Sequence, residues 1–291
     1  MMSSKFILGT AQIGMDYGIN NSKGKIPKTE AFDILNHAFQ NGIQYLDTAP
    51  VYGEAHKIIG EFHKIHSSTK FNVITKIPAA YPIEKLEKLV DSFLVEMNID
   101  TIDVLHFHSI LDYRNTESDI ISDIFNNLKL SQKVQSFGVS IYENSEFETI
   151  KRSIIDVIQL PFNLLDNSNL RGDLIAKLKQ QNFKVHTRSV FLQGLFFSKT
   201  KKNESIEIQN SLTYIKEICR NNECDIEELA LSYCINQKNI DKILVGIDSI
   251  EQLKKNITIE RNRTKKDYLN LIDGIFIENY SQLNPNKWKV E

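Results

Sequence analysis

The chain has 291 residues, 41% of them hydrophobic and 25% charged, with a formal net charge of -2. That length and apolar content suffice for a large buried core, while the dispersed, nearly balanced charge leaves no basic face for nucleic acid. No apolar run approaches a membrane span, and the amino-terminal MMSSKFILGTAQIG lacks the succession of a signal peptide, so a cytoplasmic protein without nucleic-acid or membrane partners is expected.

Eight short apolar runs read as strands. The first four are Phe6 to Thr10, Gln44 to Asp47, Phe71 to Lys76 and Asp103 to His108. The second four are Val134 to Ser140, Val157 to Leu160, Lys184 to Arg188 and Lys242 to Gly246. Seven helical stretches lie between or after them. KTEAFDILNHAFQNG has its apolar residues at helical spacing and Gly42 as its stop signal, and PIEKLEKLVDSFLVEMN has the same character. With no linker, low-complexity tract or change of composition, residues 1–291 read as one domain. Eight strands with helix-sized crossovers predict an α/β chain folded as a (β/α)8 TIM barrel. No GxGxxG follows the first strand, which argues against an open dinucleotide-binding sheet.

Cys219, Cys224 and Cys234 cluster in a late helical region. An odd number in a chain of this size is poor material for a disulfide framework, and reduced cysteines packed among helices are expected. No histidine lies near them in sequence, so no metal site is expected.

Ionisable residues stand where the early strands stop: Asp47, with Tyr52 just beyond, then Lys76, then His108. In parallel strands of one barrel these side chains converge at the carboxyl edge. A tyrosine titrates near ~10, so it donates a proton at neutral pH only if a cation stabilises its phenolate. Lys76 can supply that cation, Asp47 can hold the Lys76 ammonium, and His108 can hydrogen-bond a carbonyl oxygen near Tyr52. Together they describe protonation of an alkoxide formed by hydride transfer. Taken singly, Tyr52 reads as a packed loop tyrosine, Lys76 as a solvated strand end and Asp47 as a turn or helix cap. His106 points to the same side as His108 and is expected to pack one barrel layer below it.

From LGTAQIG to VGIDSIEQLKKN, the chain resembles the aldo-keto reductase superfamily. YLDTAPVYG, VITKIP, IDVLHFH, FGVSI, VIQLPFN and SVFLQGLF match its motifs in order. The resemblance implies Tyr52 as general acid, Lys76 and Asp47 as the residues that tune it, and His108 as the residue directing the carbonyl. It also implies a nicotinamide dinucleotide, NADP(H) ahead of NAD(H), lying across the barrel mouth. Gly9 and Thr10 fall among the cofactor positions, and Ser140 and Gln159 match residues that hold the carboxamide. Ile141 stands where relatives often have Asn, and Arg188 where many stack an aromatic ring on the nicotinamide.

Residues Ser189 to Gly194 are expected to wrap the pyrophosphate, Gly194 allowing close backbone approach or simply a tight turn. Gly246 ends the last strand before Ser249-Ile-Glu-Gln252, a capping box whose helix start can receive a phosphate. Asn256 matches a position that contacts the adenine. Asp248 would repel a 2′-phosphate, and Lys254 and Lys255 read as solvated helix residues.

The resemblance implies a small-molecule carbonyl substrate. The tail YSQLNPNKWKVE, with Trp288 as an anchor, resembles bacterial members associated with surface polysaccharide or unusual sugar synthesis, which points to a sugar or nucleotide-sugar carbonyl. A second class, a cofactor-sensing subunit with little turnover, shares the cofactor site, and a phosphate-binding isomerase leaves the four-residue set unexplained. Dispersed charge predicts a monomer.

Overall fold

The computed structural model describes residues 4–18, 21, 24–116, 118–197, 205–262 and 266–287. Eight parallel strands close into a barrel in sequence order. They are β1 (Phe6–Gly9), β2 (Tyr45–Asp47), β3 (Asn72–Ile77), β4 (Ile102–Phe107), β5 (Val134–Ser140), β6 (Val157–Pro161), β7 (Lys184–Arg188) and β8 (Lys242–Val245). The closing pair is β1 with β8, where Ile7 faces Leu244.

Between the early strands lie α1 (Ala11–Gly14), α2 (Lys28–Gln40), α3 (Ala55–Ile65), α4 (Leu86–Met97), α5 (Ile110–Arg114) and α6 (Ser118–Leu130). The second half adds α7 (Ser168–Gln180), α8 (Ile206–Asn221), α9 (Ile226–Ile235) and α10 (Ile250–Arg261). Ten helices among the described residues exceed the seven that periodicity predicts, partly because α1 and α5, with four and five residues, are too short to show an apolar period.

The helices put their apolar faces on the outer wall of the barrel. In α2, Ala31, Ile34, Leu35 and Ala38 recur at three- and four-residue spacing and are fully buried. Inside the barrel a smaller apolar layer forms from Ile7, Ile74, Val104 and Val157, with Tyr45 and Leu244 packed against it. Alternation along each strand therefore lifts the next inward residues to the carboxyl end, which is where the polar side chains collect. The register fixes their neighbours: Gly9 faces Asp47, Lys76 faces His106, and Ser140 faces Gln159.

The expected strand limits hold to within one residue. β3 runs on to Ile77 and β4 stops at Phe107, so His108 lies just past its strand. Ser109 explains that stop: its hydroxyl accepts the Asp112 amide and caps α5 directly after His108. Trp288 lies outside the described residues. Among the described residues, no helix is long and apolar enough to cross a membrane.

Candidate active site

Asp47 and Lys76 form an ion pair almost out of water, with Lys76 Nζ 2.5 Å from Asp47 Oδ1. The ammonium also donates to the Thr48 carbonyl at 3.0 Å. Asp47 is held from two more sides. Gln159 Nε2 donates to its other carboxylate oxygen at 3.2 Å, and the Thr10 amide and hydroxyl both donate to its backbone carbonyl at 3.0 Å. Thr10 thus ties the end of β1 to the end of β2. Burial works against the Lys76 charge, but Asp47 and then Tyr52 outweigh it and hold the ammonium above its usual pKa.

Tyr52 sits in the turn between β2 and α3, with the Lys76 ammonium 5.1 Å from its ring centroid. Two glycines set that turn. A Cβ on Gly14 would stand 1.8 Å from the Tyr52 carbonyl oxygen, and one on Gly53, at φ +55°, 2.4 Å from the Gly14 carbonyl oxygen. Only glycine lets the end of α1 press against this turn. Sequence reasoning missed both positions; the signal was the glycine that closes each of the motifs LGTAQIG and YLDTAPVYG.

His108 is partly buried at the mouth. Burial, then the nearby Lys76 charge, depress its pKa, with Asp112 and Asp47 opposing, so the ring is neutral near pH 7 and one nitrogen carries a proton to donate. His106 packs below it as expected. It is fully buried with both ring nitrogens unpartnered, and a Cβ on Gly138 would come within 2.4 Å of its ring. Burial, with Lys76 and His186, keeps it neutral.

On the opposite wall stand Ser140, Gln159 and Arg188. The Arg188 guanidinium lies over the Tyr142 ring, 4.0 Å from its centroid, and reaches the Ser140 and Ser189 hydroxyls and the Ile141 carbonyl, each at 3.3 Å. Arg171 fixes that platform by donating to the Tyr142 carbonyl at 2.7 Å while paired with Asp166. Tyr17, whose hydroxyl accepts from Gln193 at 3.4 Å, is within electrostatic reach of Tyr52, Tyr142 and Arg188. Tyr17, Tyr52, Tyr142, His108 and Arg188 therefore share one mouth. Tyr17 and Tyr142 went unnoticed in the sequence because neither ends a strand.

The remaining predicted cofactor residues follow β7 and β8. Ser189, Leu192, Gln193 and Gly194 have φ of +63°, +45°, +52° and +93°, a cluster of left-handed residues of the kind that shapes an anion-binding concavity, although the Leu192 and Gly194 amides already donate to the Ser189 and Phe191 carbonyls. At Gly246 a Cβ would meet the Gln12 amide nitrogen at 3.0 Å. Ser249 caps α10 by accepting the Gln252 amide, and Gln252 Oε1 in turn accepts the Asp248 amide at 2.7 Å, one residue further back than a standard capping box. Asn256 lies buried on the inner face of α10. These features fit a dinucleotide. The Ser140 hydroxyl and the free Gln159 oxygen can meet a carboxamide, the left-handed turn a pyrophosphate, and Asn256 a base.

Lys254 and Lys255 do not face that turn. Lys255 pairs with Asp225 and Glu227, and Lys254 lies near His37 on α2. Asp248 keeps Oδ1 buried without a partner. Among the described residues, no group of three or more His, Cys, Asp or Glu could hold a metal ion. Cys234 is fully buried, its thiol against the Phe162 carbonyl, which accords with the helix-packing role expected of it.

The family described as the aldo/keto reductase family matches residues 5–277. The chain is 23% identical over 252 residues to L-galactose dehydrogenase of Arabidopsis thaliana, covering 80% of this chain and 79% of that protein. It is 22% identical over 294 residues to the NADH-specific methylglyoxal reductase of Escherichia coli (strain K12), covering 87% of this chain and 89% of that one. A solved aldo-keto reductase from Bacillus halodurans, in its holo form, has the same fold, with a TM-score of 0.75 and 20% identity over 96% of each chain.

Proposed function

The chain belongs to the aldo/keto reductase family, and from that premise we propose that this oxidoreductase reduces a small polar carbonyl compound, with Tyr52 as its proton donor. The observation that carries this reading is the buried Asp47–Lys76 pair beside the Tyr52 ring. Enzymes of this family use a nicotinamide cofactor, which when bound supplies a hydride to the carbonyl carbon.

The rest is the work of the chain's own groups. The neutral His108 imidazole donates to the carbonyl oxygen and orients it. Tyr52 gives that oxygen its hydroxyl proton as charge develops there. The Lys76 ammonium stabilises the phenolate left behind, and Asp47, fixed by Gln159 and Thr10, keeps the ammonium in place without solvent reorganisation.

The cofactor residues are proposed as Gly9, Ser140, Gln159, the turn from Ser189 to Gly194, Gly246, Ser249, Gln252 and Asn256, while Arg188, which the resemblance implies at the nicotinamide, is left free for the substrate. Thr10 acts behind them through Asp47. The resemblance favours NADP(H), but the residues around α10 favour NAD(H). Asp248 has an unpartnered carboxylate oxygen suited to a ribose hydroxyl, and neither neighbouring lysine faces the turn. Relatives named for galactose and methylglyoxal support a sugar-like or otherwise oxygen-rich substrate.

Titration with NADH and NADPH, followed by cofactor emission, together with turnover of methylglyoxal and of aldose sugars, tests the proposal. Binding of a reduced cofactor with its consumption on adding a carbonyl compound supports it. Binding of neither cofactor contradicts it.

A further inference from the structure

We infer that Arg188 forms an oxyanion subsite beside the carbonyl-reducing groups, and that the preferred substrate carries a carboxylate as well as the carbonyl that is reduced. This rests on the reductase reading above and deepens it by naming the substrate class.

The inference comes from a contrast among three cations. Lys76 and Arg171 are buried, and each has a buried carboxylate partner, Asp47 and Asp166. Arg188 is partly buried at the mouth, and among the described residues no carboxylate lies within 4.0 Å of it. A cation withdrawn from water without a counter-charge is costly unless an anion completes it. Among the described residues its hydrogen-bond acceptors are neutral oxygens at 3.3 Å, those of Ser140, Ser189 and Ile141, and the Asp166 carboxylate, already paired with Arg171, is only within electrostatic reach. Nε, Nη1 and Nη2 each use one N–H in these contacts, and each terminal nitrogen carries a second. Those two can bind both oxygens of one carboxylate.

The guanidinium is held ready for this. The Tyr142 face fixes its plane from 4.0 Å, and Arg171 anchors Tyr142 through its carbonyl. It shares the mouth with His108 and Tyr17, each within its electrostatic reach, so a carboxylate bound there would lie near the carbonyl that His108 orients. Phosphate oxygens of the cofactor have the same chemistry, so the test separates the two sources.

The experiment compares kcat/KM for three matched pairs that differ in a carboxylate: glyoxylate and acetaldehyde, succinic semialdehyde and butanal, D-glucuronate and D-glucose. The pairs span different separations of carboxylate and carbonyl. The wild-type enzyme is expected to prefer the acid in at least one pair by roughly ten- to a hundredfold. R188Q should abolish that preference and R188K should keep part of it. Succinate, which has no reducible carbonyl, reads the subsite directly by calorimetry and should bind the wild type more than R188Q.

Measurable turnover without an acid preference in any pair overturns the inference. So does an R188Q variant that loses acid and neutral substrates equally together with affinity for NADH, which would assign the guanidinium to the cofactor. Succinate binding that depends on Arg188, in a protein that turns over none of the six compounds, upholds the subsite and instead contradicts the reductase reading.

Discussion

Lys76 Nζ lies 2.5 Å from Asp47 Oδ1, and both side chains are nearly excluded from water. Neither charge is tolerable alone there. D47N and K76M are each expected to destabilise the fold by about 3–5 kcal/mol, because each strands a buried group that was paired. Turnover should fall by about two to four orders of magnitude as Tyr52 loses its neighbouring charge. Urea unfolding and steady-state kinetics on both variants check this. The raised Lys76 pKa also fixes a sign: its contribution is fully present below the unfolded value near ~10.4 and is lost as pH rises through the higher folded value.

The two histidines inside the barrel act in the opposite direction. Burial depresses His186 to about 3 and His106 well below its usual value, so both stay neutral while an unfolded chain protonates them near ~6.5. Stability they contribute is present above that value and falls as pH drops from ~6.5 toward the folded values, by about 1.4 kcal/mol per pH unit for each group at most. Unfolding free energies measured at pH 7, 6 and 5 should decline accordingly, and H186Q should reduce the slope.

Gly14 is expected to control activity without touching substrate. G14A places a methyl where the Tyr52 carbonyl oxygen now stands, so the turn bearing the phenol has to move. Turnover should fall by about a hundredfold or more, with NADH affinity changed far less. Kinetics paired with a cofactor titration separate the two effects.

Asp248 is expected to set cofactor choice. The wild type should bind NADH more tightly than NADPH, and D248R should narrow or invert the ratio by bringing a cation to the turn before α10. Dissociation constants for both cofactors on both proteins decide it. Tighter NADPH binding by the wild type would contradict the role given to Asp248.

Much of the barrel can be read from the chain because its strands are short, largely apolar runs separated by helix-sized segments, and the closed parallel sheet follows from that pattern. Lys76 and Asp47 were legible as ionisable residues where such runs stop. What escaped notice does not repeat along an element. Gly14 and Gly53 matter through one close approach of backbone to backbone and Tyr142 through a cation stacked on it from β7, while Thr10, expected at the cofactor, also holds Asp47 by a hydrogen bond across 37 positions. The directions of Lys254 and Lys255 depend on the helices beside α10, so their charge alone was no guide to the cofactor turn.

The most direct test of Tyr52 as the proton donor is Y52F, assayed for single-turnover reduction of a carbonyl substrate and for NADH affinity on the same preparation. Retained affinity with at least a thousandfold loss of the reduction rate is the expected result. Unchanged reduction by Y52F would contradict it and move the proton donor elsewhere in the mouth.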